Sequence, residues 1–270
     1  MKTILVPTDF SAAAANAAEY AVHLSKDLKA TVILLHVYHF PTSVSEVPIM
    51  VVTPEELEKQ NNALLKKEAA RIKKKTGVGV KYIAKPGLAV DEIIEEGKKA
   101  TLTVMGMRGA GKVGEALLGS ITTTTLRKIQ NPLLVVPDKA NYKKPEVIVF
   151  ATDYDPKINL QTIDTLKEFR NIFHSKIYVV NVKQKKESVA VKEVFSDTLE
   201  NKLNDTEHVY YFAEKEDLAE GINEFAKGHH ADIIAIIPHH YNLMERLFHK
   251  SISRKMAFHS SIPLLALPDL

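Results

Sequence analysis

The sequence predicts an α/β protein with two tandem doubly wound domains, and three observations carry this prediction. Short apolar runs alternate with longer segments of helical periodicity, which is typical of a parallel sheet covered by helices on both faces. The pattern then occurs twice, because residues 146–154 resemble residues 2–10 and residues 261–269 resemble residues 130–138. The 270 residues suffice for two domains of ordinary size. In each domain we expect five mainly parallel strands in the order 3-2-1-4-5.

Five strands and four helices are predicted in the first domain, residues 1–139. Ser11 is suited to be the N-cap of the first helix, and Thr53, Pro54 and Glu56 form the pattern that begins the second helix. The second helix is expected to end at Gly77. Its predicted inward-facing side chains are Leu57, Leu64, Leu65 and Ile72. The predicted strands are residues 3–7, 31–37, 78–84, 102–105 and 131–138, and the last two helices include residues 91–99 and 122–129.

The second domain, residues 145–270, is expected after a polar link that begins at residue 139. Its residues 176–182 and 231–237 correspond to the second and fourth strands of the first copy. The fifth strand of each copy would lie at the edge of a sheet, where an unpaired apolar strand tends to associate. We therefore expect residues 133–136 to pair with residues 264–267, which gives an intramolecular pseudo-dimer. The sequence also leaves open a homodimer of the whole chain.

Composition excludes several classes of function. The absence of cysteine excludes disulfides, thiolate catalysis and cysteine metal sites. The net charge is only +3, and the lysines are spread along helical patterns, so we expect no nucleic-acid partner. The sequence shows neither a long apolar run nor a signal-peptide pattern, so we expect no membrane partner and a cytoplasmic location.

Residues 106–119 hold five of the 11 glycines, directly after the predicted fourth strand. Glycines let backbone N–H groups approach an anion closely, and a helix beginning at Ser120 adds further donors and a positive dipole end. Two known phosphate-loop patterns overlap this glycine stretch, but the sequence lacks a residue that each pattern requires. Val113 stands where a Walker A loop needs Ser or Thr for Mg²⁺, and no acidic residue follows at the distance that a dinucleotide fingerprint requires.

Asp9 is the candidate partner of this glycine stretch. In the order 3-2-1-4-5, the first and fourth strands are neighbours at the point where strand order reverses, and ligands bind beyond the carboxyl ends of the strands there. A carboxylate could accept from an adenine amine or a ribose hydroxyl, while the glycines hold phosphates. The alternative role of Asp9 is that of an N-terminal helix cap.

The spacing Gly106-x2-Gly109-x9-Gly119-Ser120 adds a resemblance to a known family. Together with the N-terminal Ile-Leu-Val-Pro-Thr-Asp run, the Leu-Leu-His-Val strand and the closing Pro-Leu-Leu-Val-Val-Pro run, it makes the first half similar to a universal stress protein of the ATP-binding type. The resemblance covers the whole chain as a tandem pair. It implies ATP, with or without Mg²⁺, as the ligand. The residues it implies around the adenine and ribose are Pro7, Thr8, Asp9, Val37 and Met105, and those along the ribose and phosphates are Gly106, Arg108, Gly109, Gly119, Ser120, Ile121 and Thr122.

The second half departs from this pattern. Ile237, His240 and Lys250 occupy the places of three glycines, and only Ser251 matches. We therefore predict no family-type ATP site there. A structural role is the default for this half; alternatives are a partner or anion site, or a metal site from His239, His240 and His249.

Three classes of function follow. The leading one is a regulatory, stress-response protein that binds ATP in its first half. No hydrolase motif is present, so at most slow ATP hydrolysis is expected. The alternatives are a nucleotide-dependent α/β enzyme, such as a ligase or oxidoreductase, and an interaction scaffold without nucleotide.

Overall fold

The computed structural model describes residues 2–39, 53–107, 119–152, 161–183, 199–204, 208–214, 218–238 and 261–268. The strands are β1 (Thr3–Pro7), β2 (Thr31–Tyr38), β3 (Lys81–Pro86), β4 (Leu102–Gly106), β5 (Leu133–Val136), β6 (Val147–Ala151), β7 (Lys176–Lys183), β8 (His208–Glu214), β9 (Ile233–Ile236) and β10 (Leu264–Ala266). The helices are α1 (Ala12–Leu28), α2 (Pro54–Thr76), α3 (Ala89–Gly97), α4 (Ser120–Lys128), α5 (Gln161–Phe173), α6 (residues 199–203) and α7 (Leu218–Gly228).

The ten strands form one sheet in the order β3-β2-β1-β4-β5-β10-β9-β6-β7-β8. The predicted order 3-2-1-4-5 is therefore confirmed for β1–β5, and β6–β10 repeat it. Pairing is parallel within each set of five strands. The parallel pairs are compatible with the helical connections between successive strands.

The two sets of strands join at one antiparallel pair, β5 with β10, which we call the seam. Leu264, Leu265 and Ala266 lie opposite Val135, Leu134 and Leu133. This confirms the strand pairing that the sequence predicts. All six side chains are buried, so the edge that each half would expose on its own is covered by the other. The domain limits 1–139 and 145–270 stay predictions.

Helix α2 begins and ends as the sequence predicts. The Thr53 hydroxyl accepts the Glu56 N–H at 3.2 Å, the Glu56 carboxylate accepts the Thr53 N–H at 3.2 Å, and Gly77 ends the helix at φ 75°. Leu65 and Ile72 are buried, but the prediction for Leu64 is wrong, because 48% of this residue is exposed. Leu64 precedes Leu65 by one residue, and that 100° turn about the helix axis points it away from the core.

Strand β3 begins later than predicted, at Lys81 rather than at residue 78. Backbone pairing with β2 begins with Lys81 opposite Ile33. Val78 and Val80 pack against the core, but they belong to the segment that carries the chain from Gly77 to the sheet. Helix α3 likewise ends at Gly97, two residues before the predicted limit.

The link between β5 and β6 is anchored on both sides. The Asn16 amide of α1 donates to the carbonyls of Pro137 and Ala140, at 3.0 and 3.1 Å. Tyr142 donates a hydrogen bond to Asp27 and meets Tyr20 edge-on, with ring centroids 5.2 Å apart. Farther along the link, Lys143 pairs with Asp232 at 3.1 Å. Helix α1 therefore holds the start of the link, and the second half holds its end.

Candidate functional site

The candidate site lies at the carboxyl ends of β1, β2 and β4. Strand β1 lies between β2 and β4, so the connections leave this point in opposite directions along the sheet. In open α/β sheets such a switch point is where ligands bind. The N-terminal ends of α1 and α4 also reach this edge of the sheet, and we call the region between them the crevice.

The turn after β1, residues 8–11, forms one wall of the crevice. The Thr8 N–H continues the sheet by donating to the Leu35 carbonyl at 2.8 Å. The Phe10 N–H then donates to the Thr8 hydroxyl at 3.1 Å, and Phe10 takes a left-handed conformation with φ 62°. The exposed Asp9 accepts the Ser11 N–H at 3.0 Å, and the Ser11 hydroxyl accepts the Ala14 N–H at 3.2 Å. Ser11 therefore caps α1 as predicted, and Asp9 belongs to the turn before it.

Gly106, at the end of β4, has a structural role that the sequence reading missed. A Cβ atom on Gly106 would lie 2.8 Å from the backbone carbon and oxygen of Ala13, closer than real Cβ contacts. Only glycine therefore allows the first turn of α1 to lie this close to β4. Sequence reasoning assigned this glycine to close approach of a ligand, whereas the described contact is with a helix.

The opposite wall of the crevice is the N-terminus of α4. Gly119 is the N-cap, with extended backbone at φ −61° and ψ 148°, and no side chain among the described residues caps the helix. Ser120, Ile121 and Thr122 are the first three helical residues, whose N–H groups have no acceptor within the helix. Their N–H groups and the helix dipole make this end suited to an anion.

Two hydrogen bonds fix the start of α4 against β4. The Gly119 N–H donates to the Met107 carbonyl at 2.9 Å, and the Thr122 hydroxyl donates to the Gly106 carbonyl at 3.0 Å. Thr122 is buried, whereas Ser120 and Ile121 are exposed. The Thr122 hydroxyl therefore holds the start of α4 against the end of β4, and the role of Thr122 toward phosphate stays a prediction.

The structure brings ten of the twelve predicted residues to this edge of the sheet. Pro7 and Met105 are buried and Val37 is half-buried, and the three lie near the carboxyl ends of β1, β4 and β2. Arg108 and Gly109 lie outside the described residues. The roles assigned to these residues stay a prediction.

Sequence reasoning missed His36, which lies in β2 beside the turn. Its Nδ1 atom is 2.8 Å from the Thr8 carbonyl oxygen, and its ring centroid is 4.5 Å from that of Phe10. The second half has Asn181 at the corresponding place, and its amide donates to the Thr152 carbonyl at 3.0 Å. The available signal was a histidine within the otherwise apolar residues 32–37, because a polar group there needs a partner.

The described residues contain no group of three or more potential metal-ligating side chains. The predicted alternative of a metal site from His239, His240 and His249 lies outside them. Within the same described ranges, no helix is long and apolar enough to span a membrane.

Comparison with known proteins gives a consistent result. The model of the universal stress protein family matches residues 1–137. Two universal stress proteins of Methanocaldococcus jannaschii are similar: one is 31% identical over 154 residues, covering 54% of this chain and 84% of the relative, and the other is 34% identical over 157 residues, covering 51% and 96%. A universal stress protein from Archaeoglobus fulgidus shares the fold, with a TM-score of 0.74 over 99% of this chain and 98% of that one at 19% identity.

Proposed function

Because the chain belongs to the universal stress protein family, we propose that its first half binds ATP in the crevice. We further propose that the protein acts as a regulatory nucleotide-binding protein in a stress response. The observation that carries the proposal is the N-terminus of α4, which begins at a glycine without a capping side chain. Three consecutive first-turn N–H groups have no acceptor within the helix and can donate to phosphate oxygens.

The two walls of the crevice suit the two ends of a nucleotide. Helix α1 has its N-terminus occupied by the Ser11 hydroxyl, whereas no described side chain caps the N-terminus of α4. Phosphates therefore fit at α4, and adenosine fits toward the Asp9 carboxylate, which can accept from a hydroxyl or an amine. The reverse orientation would place phosphates against a carboxylate and is disfavoured by charge.

The residues of the crevice do not indicate rapid hydrolysis of ATP. The described part of the crevice supplies the Asp9 carboxylate, which accepts a hydrogen bond from the Ser11 N–H of the turn. We propose that ATP is held rather than consumed rapidly, and that any hydrolysis is slow. The second half is proposed to be structural or to bind a partner, and a homodimer of the whole chain remains a proposal.

The first experiment identifies the ligand. The protein is purified without added nucleotide and denatured, released small molecules are identified by mass spectrometry, and ATP, NAD and FAD are titrated by calorimetry. ATP should be the ligand recovered or bound most tightly. Recovery of NAD or FAD would favour the enzyme alternative, and binding of none of the three would favour the scaffold alternative.

The second experiment tests the position of the phosphates. Gly119→Asp supplies the missing cap and places a negative charge at the same point, so stability should be unchanged or rise by about 0.5 kcal/mol. ATP affinity should fall at least roughly tenfold, because the carboxylate competes for the N–H groups and repels phosphate. Gly119→Asn is the matched control, since it caps without charge and should weaken binding less. Equal affinity for all three proteins would place the phosphates elsewhere.

A further inference from the structure

His36 links strand β2 to both ends of the Thr8–Phe10 turn. Its ring nitrogen Nδ1 lies 2.8 Å from the Thr8 carbonyl oxygen, and a carbonyl can only accept, so Nδ1 carries the hydrogen. The neighbouring Leu35 carbonyl accepts the Thr8 N–H at 2.8 Å. Strand β2 therefore holds Thr8 through its backbone and through a side chain.

The turn that His36 contacts has an unfavourable backbone conformation. Phe10 is not glycine, yet it has φ 62°, a left-handed conformation that is unfavourable for residues with a Cβ atom and needs compensating contacts. One such contact is the 3.1 Å bond from the Phe10 N–H to the Thr8 hydroxyl, and another is the packing of the Phe10 ring on the His36 ring at 4.5 Å. His36 thus touches the residue before Asp9 and the residue after it.

The second half shows which property of the side chain is needed. Asn181 occupies the equivalent position in β7, is buried, and donates to the Thr152 carbonyl at 3.0 Å, while the Thr152 N–H donates to Val180 at 3.0 Å. An imidazole and an amide share an N–H donor at a similar reach, but little else. The N–H donor is therefore the feature that both halves have in common.

We propose that His36 is a positioning residue of the nucleotide site, which orients the Asp9 carboxylate by holding the Thr8 carbonyl. This inference rests on the proposed function and adds a residue that acts through the turn. It predicts that ATP affinity depends on the N–H donor at position 36. This dependence should come from the contacts of the adenosine end of ATP.

The experiment compares wild type, His36→Asn and His36→Leu by calorimetry with ATP and with inorganic tripolyphosphate. We expect His36→Asn to keep ATP affinity within roughly threefold, because it supplies the donor that the second half uses. His36→Leu should bind ATP roughly tenfold more weakly, which is the usual effect of losing one hydrogen bond. Tripolyphosphate affinity should be the same in all three proteins, since it probes only the α4 end.

A double-mutant cycle with Asp9→Asn separates positioning from general damage. If His36 acts through Asp9, His36→Leu should weaken ATP binding less than about twofold when Asp9 is already changed. Additive losses, or equal loss of tripolyphosphate binding, would overturn the proposal. A folded His36→Asn protein whose ATP affinity falls tenfold would also overturn the proposal. This test does not depend on whether His36→Leu folds. A wild-type protein that binds no ATP would instead overturn the proposed function, and the inference with it.

Discussion

The two halves of the sheet have the same hydrogen bonds at the end of their first strand but different residues at the end of their fourth strand. Thr8 and Thr152 each donate to the neighbouring strand and each have their carbonyl held by a side-chain N–H. At the end of the fourth strand, Gly106 leaves room for helix α1, whereas its counterpart Ile237 is a buried core side chain. The first contact is present in both halves. The second lets α1 lie close to β4 in the first half.

The same two halves also differ in how the corner between the third strand and the following helix is held. In the first half, Lys85 of β3 pairs with Glu96 and Glu92 of α3 at 2.6 and 3.2 Å. In the second half, Tyr211 of β8 packs on Phe225 of α7 at 4.6 Å, and Phe225 stacks on His229 at 3.9 Å. One corner is therefore electrostatic and the other aromatic, although the strand order is the same.

The largest expected effect comes from the seam, which both halves share. Leu134 and Leu265 face each other there and are fully buried. Leu134→Ala and Leu265→Ala should each lower the free energy of unfolding by about 2–5 kcal/mol, measured by urea denaturation. Leu64→Ala, at an exposed position, should change it by less than about 0.5 kcal/mol. Losses below about 1 kcal/mol at the seam would mean that the halves do not depend on each other.

The next effect tests the position where the halves differ most. Gly106→Ala should destabilise the protein by about 1–3 kcal/mol, because the added methyl group meets the Ala13 backbone. Gly79→Ala is the matched control, since nothing lies within 4 Å of the Cβ it would add, and it should be neutral or slightly stabilising. Thermal unfolding followed by circular dichroism gives both values. Equal melting temperatures for the two variants would remove the structural role assigned to Gly106.

A smaller effect is expected at positions 101 and 232, which correspond in the two halves. Asp232 accepts the N–H groups of Glu146 and Val147 at 2.8 and 3.0 Å, whereas Thr101 accepts one N–H from the described residues, that of Thr3 at 3.2 Å. Asp232→Ala should cost about 1–2 kcal/mol and Thr101→Ala about 0.5 kcal/mol in the free energy of unfolding. The reverse order would show that the carboxylate does not hold the start of β6.

The smallest effect concerns the electrostatic corner. Burial alone would raise the pKa of Glu96, but hydrogen bonds from Lys85 and Lys99 outweigh it and lower the pKa below the ordinary 4.5. A lowered pKa in the folded state adds stability above that ordinary value, and the gain is lost as the pH falls through the folded-state pKa. The protection factors of the α3 amides, which are corrected for the intrinsic pH dependence of exchange, should therefore fall on acidification below about pH 4.5. Glu96→Gln should flatten this dependence and cost at most about 1 kcal/mol at neutral pH; an unchanged pH profile would contradict the assignment.

The fold was predictable because it depends on local patterns that repeat. Alternating apolar runs and the caps at Ser11, Thr53 and Gly77 mark the elements where the structure has them. The choice between adjacent Leu64 and Leu65 was not predictable, since it depends on the rotation of α2 over the sheet. The contact of Tyr142 with α1 was also hidden, because no local pattern links residues 115 positions apart.

The candidate site was predictable as a set of positions but not as a set of contacts. Strand order alone brings Asp9 and Gly119 to one edge, and glycine spacing marks the start of α4. The sequence could not show that the Thr122 hydroxyl is engaged by Gly106, or that His36 reaches Thr8. Such pairings depend on register between distant segments, which residue types do not specify.

The seam also has a consequence for how the chain is made. Roughly 130 residues separate β5 from β10 along the chain, so at typical synthesis rates the apolar edge of β5 waits on the order of ten seconds for its partner. During that interval the apolar edge of β5 is unprotected, and β10 of another chain can pair with it. In a nascent polypeptide, pairing of β5 with β10 of another molecule therefore competes with pairing within one molecule. Synthesis of many chains close together would favour pairs of molecules that exchange their last strand.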